Sequence, residues 1–222
     1  MGRGLPVILL LGLLLVAARQ PHASPAPSQV AGIVRQLLPL EEEIEANHWS
    51  QARQNSTAVG TQLEALEPAA KRTLTAQLNK IKESLATLQA ELDKHDAATS
   101  YRAYFSLRQN LFELLDAVGY PSAPILLLVR HDLEVARRAA DEQKWQDVSH
   151  ELNELELNYR SALQTLDAKG ISPQQTADTL VKIGQARDAL QEGDRKALAA
   201  CLEELDHLLA KQQQGAGAAD VD

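Results

Sequence analysis

The stretch KWQDVSHELNELELNYRSALQTL, residues 144–166, decides the fold. Its apolar and small residues recur at alternating steps of three and four, which places them in one stripe along an α-helix. The stripe consists of Trp145, Val148, Leu152, Leu155, Tyr159, Ala162 and Leu166. A helix with one such stripe has to cover it with other helices, so the stretch predicts a helical bundle.

An earlier stretch has the same spacing, shifted by 96 residues and led by the other tryptophan of the chain. Its positions are Trp49, Ala52, Ser56, Val59, Leu63, Leu66 and Ala70. Polar breaks also recur at intervals of about 48 residues, at Asn47-His48, His95-Asp96, Gln143-Lys144 and Gly193-Asp194. We therefore predict an all-α chain of two tandem antiparallel four-helix bundle-like units that arose by internal duplication. A solenoid of four helical hairpins is the alternative.

Composition agrees with helices. Aromatic residues make up 4% of the chain, and the helix-favouring residues Leu, Ala, Glu and Gln are abundant. Pro39 is expected to kink the first helix, and Gly170 to end the sixth in a left-handed conformation. Ser172 and Gln175 predict a capping box at the start of the seventh helix. No stretch predicts a strand.

The punctuation of the chain predicts six segments. They are a signal peptide at 1–23, a disordered spacer at 24–28, a first four-helix unit at 29–119, a linker at 120–124, a second four-helix unit at 125–213 and a disordered tail at 214–222. The linker follows Gly119 and contains Pro121 and Pro124, where neither helix can continue.

The N-terminal segment resembles a secretory signal. Arg3 precedes an apolar run over residues 5–18, and small and proline residues follow it. We therefore expect an exported protein, periplasmic or extracellular, without a transmembrane segment after cleavage. The alternative is a chain anchored by the uncleaved segment.

The charge and the cysteine count exclude several classes of function. The chain has 22 basic and 30 acidic residues, and a net charge of −8 is a poor match for nucleic acid or anionic lipid. Cys201 is the single cysteine, so no disulfide forms within the chain. No nucleotide-binding, hydrolase or zinc-protease motif occurs. We expect no cofactor and no enzymatic activity.

Histidines with a carboxylate three or four residues away suggest a metal site. The candidates are Glu45 with His48, Glu91 with His95, Asp147 with His150, and Glu204 with His207. Glu-x-x-His is the ligand spacing of di-iron helical bundles, but such pairs also occur as ordinary neighbours on an acidic helix surface. A metal- or small-ligand-binding bundle is therefore the alternative function.

Two tryptophans are candidates for a structural or docking role. Trp49 and Trp145 begin equivalent helices, where each either covers one end of a core or offers a docking point to a partner. The rings of Tyr101, Tyr104 and Phe105 would favour docking if they are exposed.

Two polar stretches are expected at the surface. Glu41, Glu42 and Glu43 predict a solvated helix face. Asn55 begins an N-glycosylation sequon with Ser56 and Thr57, which matters in a eukaryotic secretory pathway.

The helix order of the first unit, with a tryptophan at the start of helix two (ANHWSQAR) and a long leucine-rich third helix, resembles the extrinsic PsbQ-type proteins of photosystem II. Those are four-helix bundles that bind a membrane complex. The second unit departs from them, and no residue role is carried over.

The function expected from the sequence is a non-enzymatic protein-interaction or accessory module, whose partner is another protein or a membrane complex. The oligomeric state stays open.

Overall fold

The computed structural model describes residues 25–66 and 74–215. Within these ranges the chain forms helices and no strand, so the all-α prediction is confirmed. The helices are α1 (Pro27–Leu37), α2 (Leu40–Glu45), α3 (Trp49–Leu66), α4 (Thr75–Leu92), α5 (Ala97–Ala117), α6 (Ile125–Asp141), α7 (Trp145–Ser161), α8 (Leu163–Ala168), α9 (Pro173–Glu192) and α10 (Arg195–Gly215). The predicted signal peptide lies outside the described residues.

The helices pack in two groups. In the N-terminal group, α1 and α2 pack against α3 and α5, and α4 also packs against α3 and α5. In the C-terminal group, α6 packs against α7 and α10, and α9 also packs against α7 and α10. Each group therefore closes on itself, whereas an open solenoid of hairpins would leave its first and last helices apart. The predicted boundaries of independently folding units stay predictions.

The repeated stripes face the two cores. Val148, Leu152 and Leu155 are fully buried in the C-terminal group, and Ala52 and Val59 are fully buried in the N-terminal group. Burial of these side chains is the main favourable contribution to the free energy of folding, since each buried side chain removes apolar surface from water.

Helix α6 contributes to both cores. Leu127 and Leu128 pack in the core of the N-terminal group, while Leu126 and Val129 pack in the core of the C-terminal group. The four residues are buried in succession because the helix is covered on two sides. The contact between α1 and α6 thus joins the two groups.

Several helix ends differ from the sequence-based expectation. Helix α1 begins at Pro27, inside the predicted disordered spacer, because proline suits the first helical position and Gln29 accepts a hydrogen bond from the Ala26 backbone N–H. Pro39 separates α1 from α2, as predicted. The predicted sixth helix is interrupted at Ala162, whose N–H donates to the Tyr159 carbonyl three residues back.

Five helix ends share one backbone motif. In each, a residue with positive φ is followed by a residue whose backbone N–H donates to the carbonyl five positions earlier. After Gln143, for example, the Lys144 N–H donates to the Ala139 carbonyl. The positive-φ residues are Asn47, Gly119, Gln143, Gly170 and Gly193. Gly170 was expected to be left-handed; Asn47 and Gln143 adopt the same conformation although they carry a Cβ.

The motif predicts that two substitutions change the stability of the protein in opposite directions. Gln143 has a φ of 60°, and Gln143→Gly should raise the free energy of unfolding by about 1 kcal/mol, because a left-handed conformation costs a non-glycine residue about that much. Gly193→Ala should lower it by a similar amount of about 1 kcal/mol, since φ is 72° and an added Cβ would meet no atom within 4 Å. Urea unfolding followed by circular dichroism measures both. A destabilised Gln143→Gly variant would contradict the backbone explanation.

Candidate functional site

Acidic side chains collect between the two helix groups. The carboxylate cluster consists of Glu41, Glu42 and Glu45 on α2, Asp132 on α6, and Glu151 and Glu154 on α7. His131, His150 and Asn158 complete the lining of a cavity of about 20 Å³. That volume holds about one water molecule. Asp132 is 6% exposed and is the most buried of these carboxylates, whereas the Glu45 side chain is 45% exposed.

Glu41 fixes α2 against α5. The Tyr101 hydroxyl donates to Glu41 Oε1 at 2.6 Å, and the Tyr104 hydroxyl donates to Oε2 at 2.9 Å. The Arg108 guanidinium also donates to Oε2, at 3.0 Å, and lies over the Phe105 ring. The expectation of a solvated face at Glu41 is therefore wrong, because three donors on α5 replace water around the carboxylate.

The two phenols stay protonated. Burial raises the pKa of Tyr101 above its ordinary value, and the hydrogen bond to Glu41 raises it further. Burial likewise raises the pKa of Tyr104 well above its ordinary value. Both hydroxyls therefore remain hydrogen-bond donors to Glu41 through the physiological pH range.

Three charged contacts cross from α2 to the C-terminal group. His131 Nε2 lies 2.9 Å from Glu42 Oε1, and His150 Nε2 lies 3.7 Å from Glu45 Oε2. The Arg138 guanidinium is 4.0 Å from the other oxygen of Glu42. When the imidazoles are protonated, these contacts are ion pairs between the groups.

Two carboxyl groups of the C-terminal group have strongly raised pKa values. Asp132 is only 6% exposed, and burial raises its pKa to about 7 although the Asn158 amide donates to it at 2.9 Å. Burial, followed by repulsion from Asp132 and Glu42, raises the pKa of Glu151 to about 8. Among the described residues, none donates a hydrogen bond to Glu151.

These shifts make stability fall as the pH rises. Unfolded Asp and Glu carboxyl groups titrate near their model values of 3.8 and 4.5, so between those values and about 7 or 8 the folded state binds more protons than the unfolded state. The stabilisation that Asp132 and Glu151 contribute is complete below their pKa values in the unfolded chain. It is lost as the pH rises through their pKa values in the folded protein.

Glu43 and Asn55 form a separate contact within the N-terminal group. The Asn55 amide donates to Glu43 Oε1, and Gln36 donates to the Asn55 amide oxygen at 3.4 Å. Burial raises the pKa of Glu43 to about 7. The expected solvated face is therefore wrong here as well, and the sequon asparagine is a half-buried structural residue on α3.

The structure brings three predicted metal candidates into one groove. Glu45, Asp147 and His150 line this groove together. His150 lies near Glu45 of the other helix group, whereas the sequence pairs it with Asp147. Nevertheless, in the part of the chain that the structure describes, no group of three or more His, Cys, Asp or Glu side chains could hold a metal ion.

The remaining metal candidates have other surroundings. Glu91 pairs with Lys94, Glu204 pairs with Lys182, and the His95 ring stacks on an indole. His48 and His207 are exposed. The structure does not bring these five side chains to a common site.

The two tryptophans are half-buried and have different partners. The Trp49 ring stacks on His95, with centroids 5.4 Å apart. The Arg195 guanidinium lies 4.8 Å from the centroid of Trp145. Both rings pack partly against the core of their own group, which fits a structural role. Trp145 lines two clefts, with volumes of about 460 and 270 Å³.

The aromatic side chains of α5 do not form an exposed patch. Tyr104 is fully buried, Tyr101 is half-buried, and Phe105 is 38% exposed under the Arg108 guanidinium. These rings would favour docking if they were exposed. Instead, Tyr104 packs in the core, and the hydroxyls of Tyr101 and Tyr104 bind Glu41.

Comparisons of the chain with protein-family models, with curated proteins and with solved structures found no match. The likeness of the first unit to PsbQ-type proteins therefore stays an expectation from its sequence. Among the described helices, none has the length and apolar character needed to cross a membrane.

The Glu41 contacts predict a large effect for one arginine. The side chains of Arg108 and Glu41 are 10% and 19% exposed, so Arg108→Met should lower the free energy of unfolding by about 3 kcal/mol by leaving a poorly solvated carboxylate without its cation. Arg102→Met is the control, because Arg102 is exposed on the same helix and its loss should cost about 0.5 kcal/mol or less. Chemical denaturation measures both, and equal losses would contradict the role of the pair.

Proposed function

We propose that this protein is an exported, non-enzymatic accessory module of the periplasm or extracellular space that binds a protein partner beside Trp145. The observation that carries the proposal is the half-buried indole that lines two clefts. Tryptophan and arginine are enriched among the residues that contribute most to protein interfaces, and Arg195 lies over this ring.

The larger cleft combines an apolar floor with charged edges. Its apolar lining includes Ala140, Leu198 and Leu202, and its charged lining includes Arg137 and Glu203. A buried apolar centre with a polar rim is the usual anatomy of a protein interface. The smaller cleft is bounded by Trp145, α9 and α10, and its lining is mainly apolar.

The carboxylate cluster gives little support to an enzyme. Asp132 and Glu151 have raised pKa values, which often accompany catalysis, but the cavity that the cluster encloses is only about 20 Å³. Its residues are instead bonded across helices, as Glu41 is to Tyr101 and Arg108.

An exposed alanine in the larger cleft provides the test of the docking site. Peptides selected from a displayed random library on the intact protein should bind wild type and lose at least about tenfold in affinity, or about 1.4 kcal/mol, with Ala199→Arg, whose side chain would fill the cleft. Ala200→Arg is the matched control, since Ala200 is also exposed on α10 but does not line the cleft. Isothermal titration calorimetry measures both affinities. Equal affinities for the two variants, or failure to select any binder, would contradict the proposal.

A zinc titration tests the alternative of a metal-binding bundle. We expect no stoichiometric sub-micromolar change in tryptophan emission, because the described residues supply no group of three ligands. Trp49 stacks on His95, so metal capture at that histidine would alter its emission. Saturable binding that is lost in His150→Ala would instead favour the metal-binding function.

A further inference from the structure

The contact between the helix groups has an apolar part and a charged part. The apolar part is the packing of α1 against α6, where Leu127 and Leu128 enter the core of the N-terminal group. At the far end of α5, Lys169 lies 3.3 Å from Asp116 and adds one ion pair. The charged part is the carboxylate cluster between α2 and α6–α7.

In the cluster, carboxylates of one group face carboxylates of the other. Helix α2 presents Glu41, Glu42 and Glu45; helix α6 presents Asp132; helix α7 presents Glu151 and Glu154, with Asp147 at the edge of the adjoining groove. With every group ionised, like charges would oppose each other across the junction, most strongly around the buried Asp132.

Among the described residues, the cations near the cluster are too few to balance its negative charge. From α5, Arg108 is bound to Glu41, and the phenols of Tyr101 and Tyr104 are neutral donors. From α6, Arg138 reaches Glu42 at 4.0 Å, but its side chain is 60% exposed, so its attraction is weakened by water. Lys144 lines the adjoining groove but is paired with Glu142 at 2.7 Å. His131 on α6 and His150 on α7 are charged only when protonated.

We propose that the carboxylate cluster makes the junction between the two helix groups proton-dependent. In acid, protonated Asp132 and Glu151 remove like charge from the junction. In alkali, both carboxyl groups ionise and repel Glu42 and Glu45, so the α2 side of the junction opens about the apolar contact between α1 and α6. The partner cleft beside Trp145 lies within the C-terminal group, so this motion is independent of the proposed docking.

The pKa values set the pH range of the change. Asp132 and Glu151 lose their protons near pH 7 and pH 8. The junction should therefore loosen across neutral pH.

Small-angle X-ray scattering of the purified protein tests the proposal. The radius of gyration should increase between about pH 5 and about pH 9, on either side of both pKa values, with its midpoint between pH 7 and pH 8. The double variant Asp132→Asn with Glu151→Gln keeps the shape of both side chains but removes their charge. It should show a smaller increase or none.

The control is the double variant Glu83→Gln with Asp188→Asn, which neutralises exposed carboxylates outside the cluster and should behave as wild type. Circular dichroism at each pH separates motion of the groups from unfolding. An unchanged radius in wild type, an unchanged increase in the cluster variant, or an increase accompanied by loss of helical signal would each overturn the proposal.

Discussion

Glu41 is held by two phenol hydroxyls and one guanidinium from α5, and the place of α2 follows from those bonds. Leu40 and Ile44 of this six-residue helix are fully buried in the N-terminal core, and the Glu41 bonds add a polar anchor on α5. With α2 held in this way, Glu42 and Glu45 face α6 and α7, where they meet the acids and histidines of the other group. The charged junction therefore depends on the satisfied carboxylate together with the two buried side chains.

The two helix groups share their apolar pattern and differ in their polar contacts. Equivalent stripes are buried in both, and each begins with a tryptophan. In the C-terminal group, however, the Gln212 amide joins Tyr159 and Thr179 inside the core, whereas the position 96 residues before Tyr159 is the apolar Leu63. Two helix groups with a common apolar pattern can differ in their polar residues, so the two tryptophans need not have the same role.

Periodic features could be read from the sequence, and contacts between distant segments could not. The stripes, the interruption at Pro39 and the capping box of Ser172 with Gln175 depend on local spacing, and the structure confirms them. The bonds from Tyr101 and Arg108 to Glu41 join residues about 60 positions apart, so no local pattern reports them. One signal was present: the unbroken apolar run over residues 125–129 covers more than one helix face, which indicates a helix buried on two sides.

The half-buried Asn55 limits how this protein can be produced. Its amide nitrogen, the atom that a glycan would occupy, donates to Glu43 between α2 and α3. A sugar attached there during translocation into the endoplasmic reticulum would keep α2 away from α3, and the acids of α2 would then miss their partners. Secreted expression in yeast or mammalian cells would thus yield a misassembled fraction, which bacterial expression avoids.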